Sequence, residues 1–377
     1  MQYQYYLNFM KSYFKLFIAA LLFMTSSCHV GRFVIFNFAD VNDFKKFPQV
    51  TVSKDPEYQF TFKSSDSPLN IDEYLLPDGL SEKSVTLAEY HKETKTTAFL
   101  IIRNDTVLYE NYFGGDEQKI LTSFSVSKSY IGALIGIAVD EGKIRDVNEP
   151  ITNYLNYWEG YERFSKITIA HLLDMKSGFK YEEGYYNPFG DVAKYYYGRH
   201  LERYIRKIEI VKEPGTEFDY VSVNTFILSL ILEKATGMPT EQYLEQKIWK
   251  PLGMEFDASM NKDRKKGVVK AFAGLNARLR DYAKMGRLYL HFGKWEGNQI
   301  ISRQWVERLR TARPEDGKRL TYRDQWYIGE YGDFAAIGFM GQYIYVFPDK
   351  NLIIVRTGKK SERWLSLLQN LALSDKL

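Results

Sequence analysis

The chain holds a single cysteine, Cys28, among 377 residues. That excludes an intrachain disulfide and a cysteine-built zinc site. Histidine is scarce as well. The five, at positions 29, 91, 171, 200 and 291, form no HExxH or similar pairing, so neither a catalytic metal nor another cofactor is expected. Charge of one sign is not in excess, with 51 basic against 47 acidic residues, and such a balance gives no reason to expect nucleic acid as a partner. No apolar run, LFIAALLFM at 16–24 included, reaches the ~18 residues that a membrane-spanning helix needs. What is present is material for a core. The chain is 45% hydrophobic and 16% aromatic, enough for one large domain or two ordinary ones.

Lys11 and Lys15 flank the start of the short apolar run, and the small residues of TSSC follow it, ending on Cys28. A basic region, a brief apolar stretch and small residues make a secretory signal. The place of Cys28 resembles that of the lipidated cysteine in bacterial lipoproteins, where the thiol is acylated and its residue becomes the new N-terminus. The plainer alternative is a buried cysteine at the start of the domain. Met10-Lys11 is a more usual signal start than Met1. Residues 1–28 are thus expected to be a signal, and the mature protein to be lipid-anchored, in the periplasm or at the outer membrane.

Residues 29–95 read as an extended lead-in with little regular structure, apart from helical character in TLAEYHKETK at 86–95. TAFLIIRNDTVLYENYF, 97–113, is two β-rich runs broken at Arg103-Asn104-Asp105, a hairpin signal. From about 120 to 310 the pattern is helical. Apolar helices over 129–142, 168–178, 225–237 and 277–293 each close on glycine. Strands return in QWYIGEY, GQYIYVFPD and NLIIVRTG, and a last helix covers roughly 362–373. The fold class is therefore α+β. An antiparallel sheet is built from both chain ends, with a helical region inserted, in one domain over 96–377.

SFSVSKSY, 123–130, alternates four serines around Lys128. A Ser-x-x-K spacing alone is weak, because Ser12/Lys15, Ser177/Lys180 and Ser259/Lys262 match it by accident. Ser125/Lys128 differs in opening a long, nearly all-apolar helix. Residues i and i+3 share a helical face, N–H groups at a helix start are free to stabilise an oxyanion, and a lysine drawn into apolar surroundings loses proton affinity. The bland alternative is helix capping by Ser123 or Ser125 with a surface lysine.

Two further stretches decide between these readings: FDYVSVNTFILSLILEKATG at 218–237 and IGFMGQYIYVFPD at 337–349. With them the chain resembles the serine β-lactamase and penicillin-binding-protein superfamily, closest to its class C-like branch of esterases and 6-aminohexanoate-oligomer hydrolases. The resemblance runs from about residue 97 to 372. It implies a β-lactamase/transpeptidase-like fold and an acyl-enzyme mechanism on a small-molecule or peptide-like ester or amide. Ser125 would be the nucleophile, and Lys128 or Tyr220 would accept its proton, with the Tyr220 pKa lowered by the nearby ammonium. Ser222, where many relatives carry Asn, would hydrogen-bond Lys128 or the substrate, with Asn224 sharing that work. Aligned on Gly341, the third family motif becomes Phe339-Met340-Gly341. Gly341 would let a strand edge approach the substrate, and the Gln342 N–H would join that of Ser125 as the oxyanion hole.

That third motif lacks the cation or hydroxyl that grips a β-lactam carboxylate. Arg323, Arg356 or Lys359 would have to supply the charge from elsewhere. The departure weighs against penicillin turnover and leaves ester or amide hydrolysis open. A D,D-carboxypeptidase or β-lactamase acting on peptidoglycan-like substrates is the runner-up, and a non-catalytic binding module with the same fold is the third reading. His171, inside an apolar helix, reads as a core histidine. The aromatic stretch at 181–198 either lines a substrate cleft or packs on the surface.

Overall fold

The computed structural model describes residues 9–15, 29–80 and 83–377. Cys28 and the apolar run before it lie outside the described residues.

Alternation within the strands organises the molecule. In Thr96–Arg103, Ala98, Leu100 and Ile102 point to one side while Phe99 and Ile101 point to the other. Both sides are buried, which is why the run reads as continuously apolar. Asn104 and Asp105 adopt left-handed φ values of 50° and 57°, and the chain returns as Thr106–Tyr112. Leu352–Gly358, from the far end of the sequence, pairs antiparallel with Thr96–Arg103. This junction of the two chain ends lies within an eight-stranded sheet that continues through Gln342–Phe347, Phe334–Gly338, Trp326–Gly329 and Leu320–Arg323. The sheet is antiparallel except where Lys63–Ser64 joins Thr106–Val107 in parallel.

Helices cover both faces. Val126–Asp140, Ser222–Thr236 and Leu279–Leu290 contribute to the larger core. Leu87–Glu93 and Trp364–Leu373 cover the opposite face through Tyr90, Trp364 and Leu368. The expected helix at 168–178 is shorter, Ile169–Leu173. It opens with a capping box between Thr168 and His171, so His171 has a structural role at the helix start.

Residues 29–64 carry more regular structure than the lead-in expected of them. A helix spans His29–Phe36, and Gln49–Val52 pairs with Ala258–Asn261 in a second, four-stranded sheet. The strands of that sheet have two to four residues each, too short to show a period in sequence. Its last member, Leu121–Thr122, leads straight into SFSVSKSY.

Candidate active site

Two sheets meet at the turn before the Val126–Asp140 helix. Leu121–Thr122 delivers the chain to Ser123, and Phe124 takes a left-handed φ of 47°. That conformation is costly for a bulky residue. It is held by edge-on packing against Phe339, centroids 5.6 Å apart. Ser125 then occupies the helix N-cap, yet its side chain makes no capping bond. Lys128 Nζ instead donates to Ser125 Oγ at 2.7 Å and to the Phe272 carbonyl at 2.9 Å. The other serines are spent. Ser127 Oγ donates to the Ala271 carbonyl at 2.7 Å, and Ser129 Oγ to that of Gln325 at 2.8 Å.

Lys128 is not the surface lysine of the bland reading, being only 1% exposed. Burial pushes its pKa down to about 8, opposed by the nearby Glu183 carboxylate, which raises it. Tyr220 is half-buried, its ring centroid 5.2 Å from Lys128 Nζ, and it packs against Tyr322 and Tyr327. Its phenol pKa is driven up, first by burial and then by Tyr322, Tyr327 and Glu183. This reverses the expected lowering, because desolvation and the neighbouring phenols and carboxylate disfavour the phenolate.

Other expected site residues are placed differently. Ser222 lines the cavity with Ser125, where a substrate would meet it, but its bonds go to Glu183 and not to Lys128. Its N–H and Oγ donate to Glu183 at 3.1 and 2.6 Å. Asn224 is fully buried and its side chain is bonded elsewhere. Its Oδ1 accepts from Ser177 Oγ at 2.8 Å, and its Nδ2 meets Met175 Sδ at 3.6 Å. Gly341 closes the hairpin turn with φ 79°, and its carbonyl accepts from Arg356 Nη1 at 2.6 Å. The Gln342 side chain is buried between strands, donating to the carbonyls of Phe339 and Gly358. The glycine that abuts the Ser125 turn is Gly338, where an added Cβ would stand 2.4 Å from the Ser123 carbonyl oxygen. Aligned on that glycine, the third motif falls three residues earlier than expected, on Ala336-Ile337-Gly338.

None of the three substitute cations is left over. Arg323 Nη1 pairs with Asp174 at 2.6 Å, Lys359 with Asp40 at 3.4 Å, and Arg356 is buried beneath the turn. The charge that does face the cavity is negative. Glu183, not anticipated from sequence, accepts from Ser222 and from the Tyr185 hydroxyl at 3.0 Å. Its only sequence signal is an acid inside the 181–198 aromatic stretch. That stretch does line the cleft. Glu183, Tyr185, Tyr196 and Tyr197 share the cavity wall with Ser125 and Phe339. Tyr185 stacks on Phe339 with centroids 4.5 Å apart. The space left beside Ser125 is about 30 Å³, room for a water molecule or two. Among the described residues, no cluster of His, Cys, Asp and Glu has the makings of a metal site.

Comparison with known proteins places this geometry. The family model described as Beta-lactamase matches residues 86–363. A 6-aminohexanoate-dimer hydrolase of Paenarthrobacter ureafaciens is 30% identical over 304 residues, covering 74% of this chain and 76% of its own. A solved Bacillus anthracis structure, provisionally named a 6-aminohexanoate-dimer hydrolase, superposes with a TM-score of 0.79 at 24% identity, over 88% of this chain and 92% of its own. The octameric penicillin-binding-protein homologue of Pyrococcus abyssi gives a TM-score of 0.61 at 22% identity, over 76% and 75%.

Proposed function

Because this chain belongs to the beta-lactamase family of hydrolases, we propose that it cleaves a neutral ester or amide through a Ser125 acyl-enzyme. One observation carries the reading: a buried amine with a lowered pKa, bonded to the only serine of its run whose hydroxyl is not committed to a carbonyl. At pH 7 about a tenth of a lysine with a pKa of about 8 is neutral. In that fraction the Ser125 hydroxyl donates to Nζ, which takes the proton as Oγ attacks the carbonyl carbon. Tyr220, held as a neutral phenol, relays that proton to the leaving group and is itself reprotonated from Lys128. Val126, Ser127 and Lys128 spend their N–H groups on the carbonyls of Ser123, Phe124 and Ser125. The donors assigned to the oxyanion are accordingly the N–H groups of Ser125 and Phe339.

The cavity favours an uncharged acyl group. Its walls are mainly aromatic and aliphatic, and the Glu183 carboxyl shares them with Ser125. A substrate carboxylate there would meet the Glu183 carboxyl, and the cation at the nucleophile, Lys128, is already engaged by Ser125 and the Phe272 carbonyl. This counts against the D,D-carboxypeptidase and β-lactamase readings. The test is covalent labelling by a fluorophosphonate, with the adduct mapped by mass spectrometry, followed by a panel of short-chain esters, amide oligomers and D-Ala-D-Ala peptides. Labelling elsewhere than Ser125 rejects the mechanism. Preference for the D-Ala-D-Ala peptides rejects the substrate class.

We further infer that Cys28 carries a lipid anchor, from its place after a basic, apolar and small-residue series. Cys28→Ser is expected to move the protein from the membrane to the soluble fraction. Wild-type protein already soluble after lysis rejects the anchor.

A further inference from the structure

Resting on that anchor, we propose that the end of the His29–Phe36 helix and the loop after Tyr185 form a face that docks on the lipid bilayer, at the mouth of the active site. Five large apolar side chains crowd there with no protein cover. Val34 is 72% exposed, Ile35 54%, Phe38 46%, Tyr186 69% and Phe189 77%. Two of them connect to the cavity wall through ring contacts. Phe38 packs edge-on against Tyr186 at 5.6 Å, and Tyr186 lies 6.2 Å from Phe339 in the cavity wall. Isolated exposed apolar residues are ordinary, but a contiguous group beside a site marks an interaction surface.

The helix is fixed to the enzyme. Arg32 Nη1 donates to the Tyr197 carbonyl at 2.5 Å, and Phe33 packs on the Tyr197 ring at 5.0 Å. Ala39, just past the helix, lines the cavity itself. The exposed face therefore keeps its orientation relative to Ser125.

The chain path selects lipid as the occupant. Cys28 immediately precedes His29, the first residue of the helix. One peptide link and five helical rises put Val34 within about 12 Å of the acylated residue. The polar layer of a bilayer is roughly 5–8 Å deep on each side, so an anchored Cys28 leaves this face at or in the interface. The tether supplies a high effective concentration, and weak apolar contacts then suffice. Two of the cations around it are paired, Lys194 with Asp191 at 3.7 Å and Lys359 with Asp40 at 3.4 Å. The five exposed side chains of the face are all uncharged, so docking is proposed to be apolar first and only weakly dependent on lipid charge.

The experiment uses the full lipidated protein, reconstituted in phosphatidylcholine vesicles containing doxyl-labelled lipid. A thiol-reactive NBD probe is placed on Phe189→Cys and, in a second protein, on Lys143→Cys. Lys143 is exposed beyond the far end of the helix that begins beside Ser125, roughly 25 Å away. The expected result is at least twofold quenching and a blue shift at 189, with neither at 143, and the same in vesicles half phosphatidylglycerol. Vesicle-bound protein with both probes unquenched overturns the docking and leaves the anchor standing. Protein that never enters the membrane fraction overturns the anchor and the docking together. Absent quenching with a dimer that Ile35→Asp dissociates, read by light scattering, assigns the face to a second copy instead. Fluorophosphonate labelling of Ser125 is independent of all these outcomes.

Discussion

A Cβ placed on Gly338 would stand 2.4 Å from the carbonyl oxygen of Ser123, so only glycine lets the sheet edge meet the turn that carries Ser125. Three residues on, a Cβ at Gly341 would strike Arg356 Nη1 instead. The two glycines of one hairpin thus face different tasks. Gly338→Ala is expected to push the edge off the turn and lower kcat/KM by about 100-fold, the scale of a small misplacement at a reacting centre. Gly341→Ala, forced to keep a φ of 79°, is expected to cost about 1–3 kcal/mol of stability while sparing the rate constants of the folded enzyme. Steady-state kinetics with thermal melts on both variants checks this. The reverse pattern would return the oxyanion role to Gly341 and Gln342.

Ser125→Ala is expected to abolish fluorophosphonate labelling and hydrolysis with an unchanged melt. Lys128→Met is expected to cost roughly 100- to 10,000-fold, the range for a positioned general base. Ser127→Ala, which removes only the bond to the Ala271 carbonyl, retains labelling. Labelling that survives in Ser125→Ala and vanishes in Ser127→Ala would reassign the nucleophile.

Local signals carried the reading far. Asn104-Asp105 turned the hairpin, the apolar helix ran where its glycine stop put it, and Ser125 with Lys128 met at i,i+3. What failed was decided by register and by distant partners. The Gly-x-x-Gly of the third motif offered two alignments, and only the pairing of Gly338 with Gln342 selects one. The strand Phe334–Gly338 is alanine- and glycine-rich, with weak β propensity of its own. Glu183 reaches the site by bonding Ser222, 39 positions away, and no local pattern announces that. Tyr220 sits near Lys128 as expected, but its pKa is raised by burial and then by Tyr322 and Tyr327, which arrive from another part of the chain.

The pH profile follows from Lys128. The neutral amine is the active form, and burial holds its pKa at about 8, below the ordinary 10.5. The rate therefore rises with pH and levels off above that value, so kcat/KM is expected to show an acid limb with an apparent pKa near 8. Glu183 raises the Lys128 pKa, so Glu183→Gln is expected to move that limb to lower pH and increase activity at pH 7. A limb that moves upward, or stays fixed, contradicts Lys128 as the base. A neutral ester is the appropriate substrate, because its own ionisation does not enter.

Phe339 governs what enters. Its ring stacks on Tyr185 at 4.5 Å and meets Phe124 edge-on, closing the cavity to about 30 Å³. A substrate acyl group needs one of these rings to move. Phe339→Ala removes the stack, worth about 0.5–1.5 kcal/mol beyond buried area, and opens the wall next to Ser125. Branched or aromatic acyl esters are expected to gain roughly tenfold in kcat/KM. Acetyl esters, which need the least opening and lose apolar contact, are expected to fall several-fold. The charge preference is expected to persist, because Glu183 remains beside Ser222. Cephalosporins and other carboxylates should stay poor substrates in Phe339→Ala and improve about 10- to 100-fold only when Glu183→Gln is added, the scale of one hydrogen bond to a charged group. Measuring kcat/KM for an acetyl ester, a benzoyl ester and a cephalosporin across the wild type, both single variants and the double separates size from charge. If Phe339→Ala alone raised cephalosporin turnover as much as the double variant, steric closure would be the sole determinant, and the acid in the cavity would have no part in selectivity.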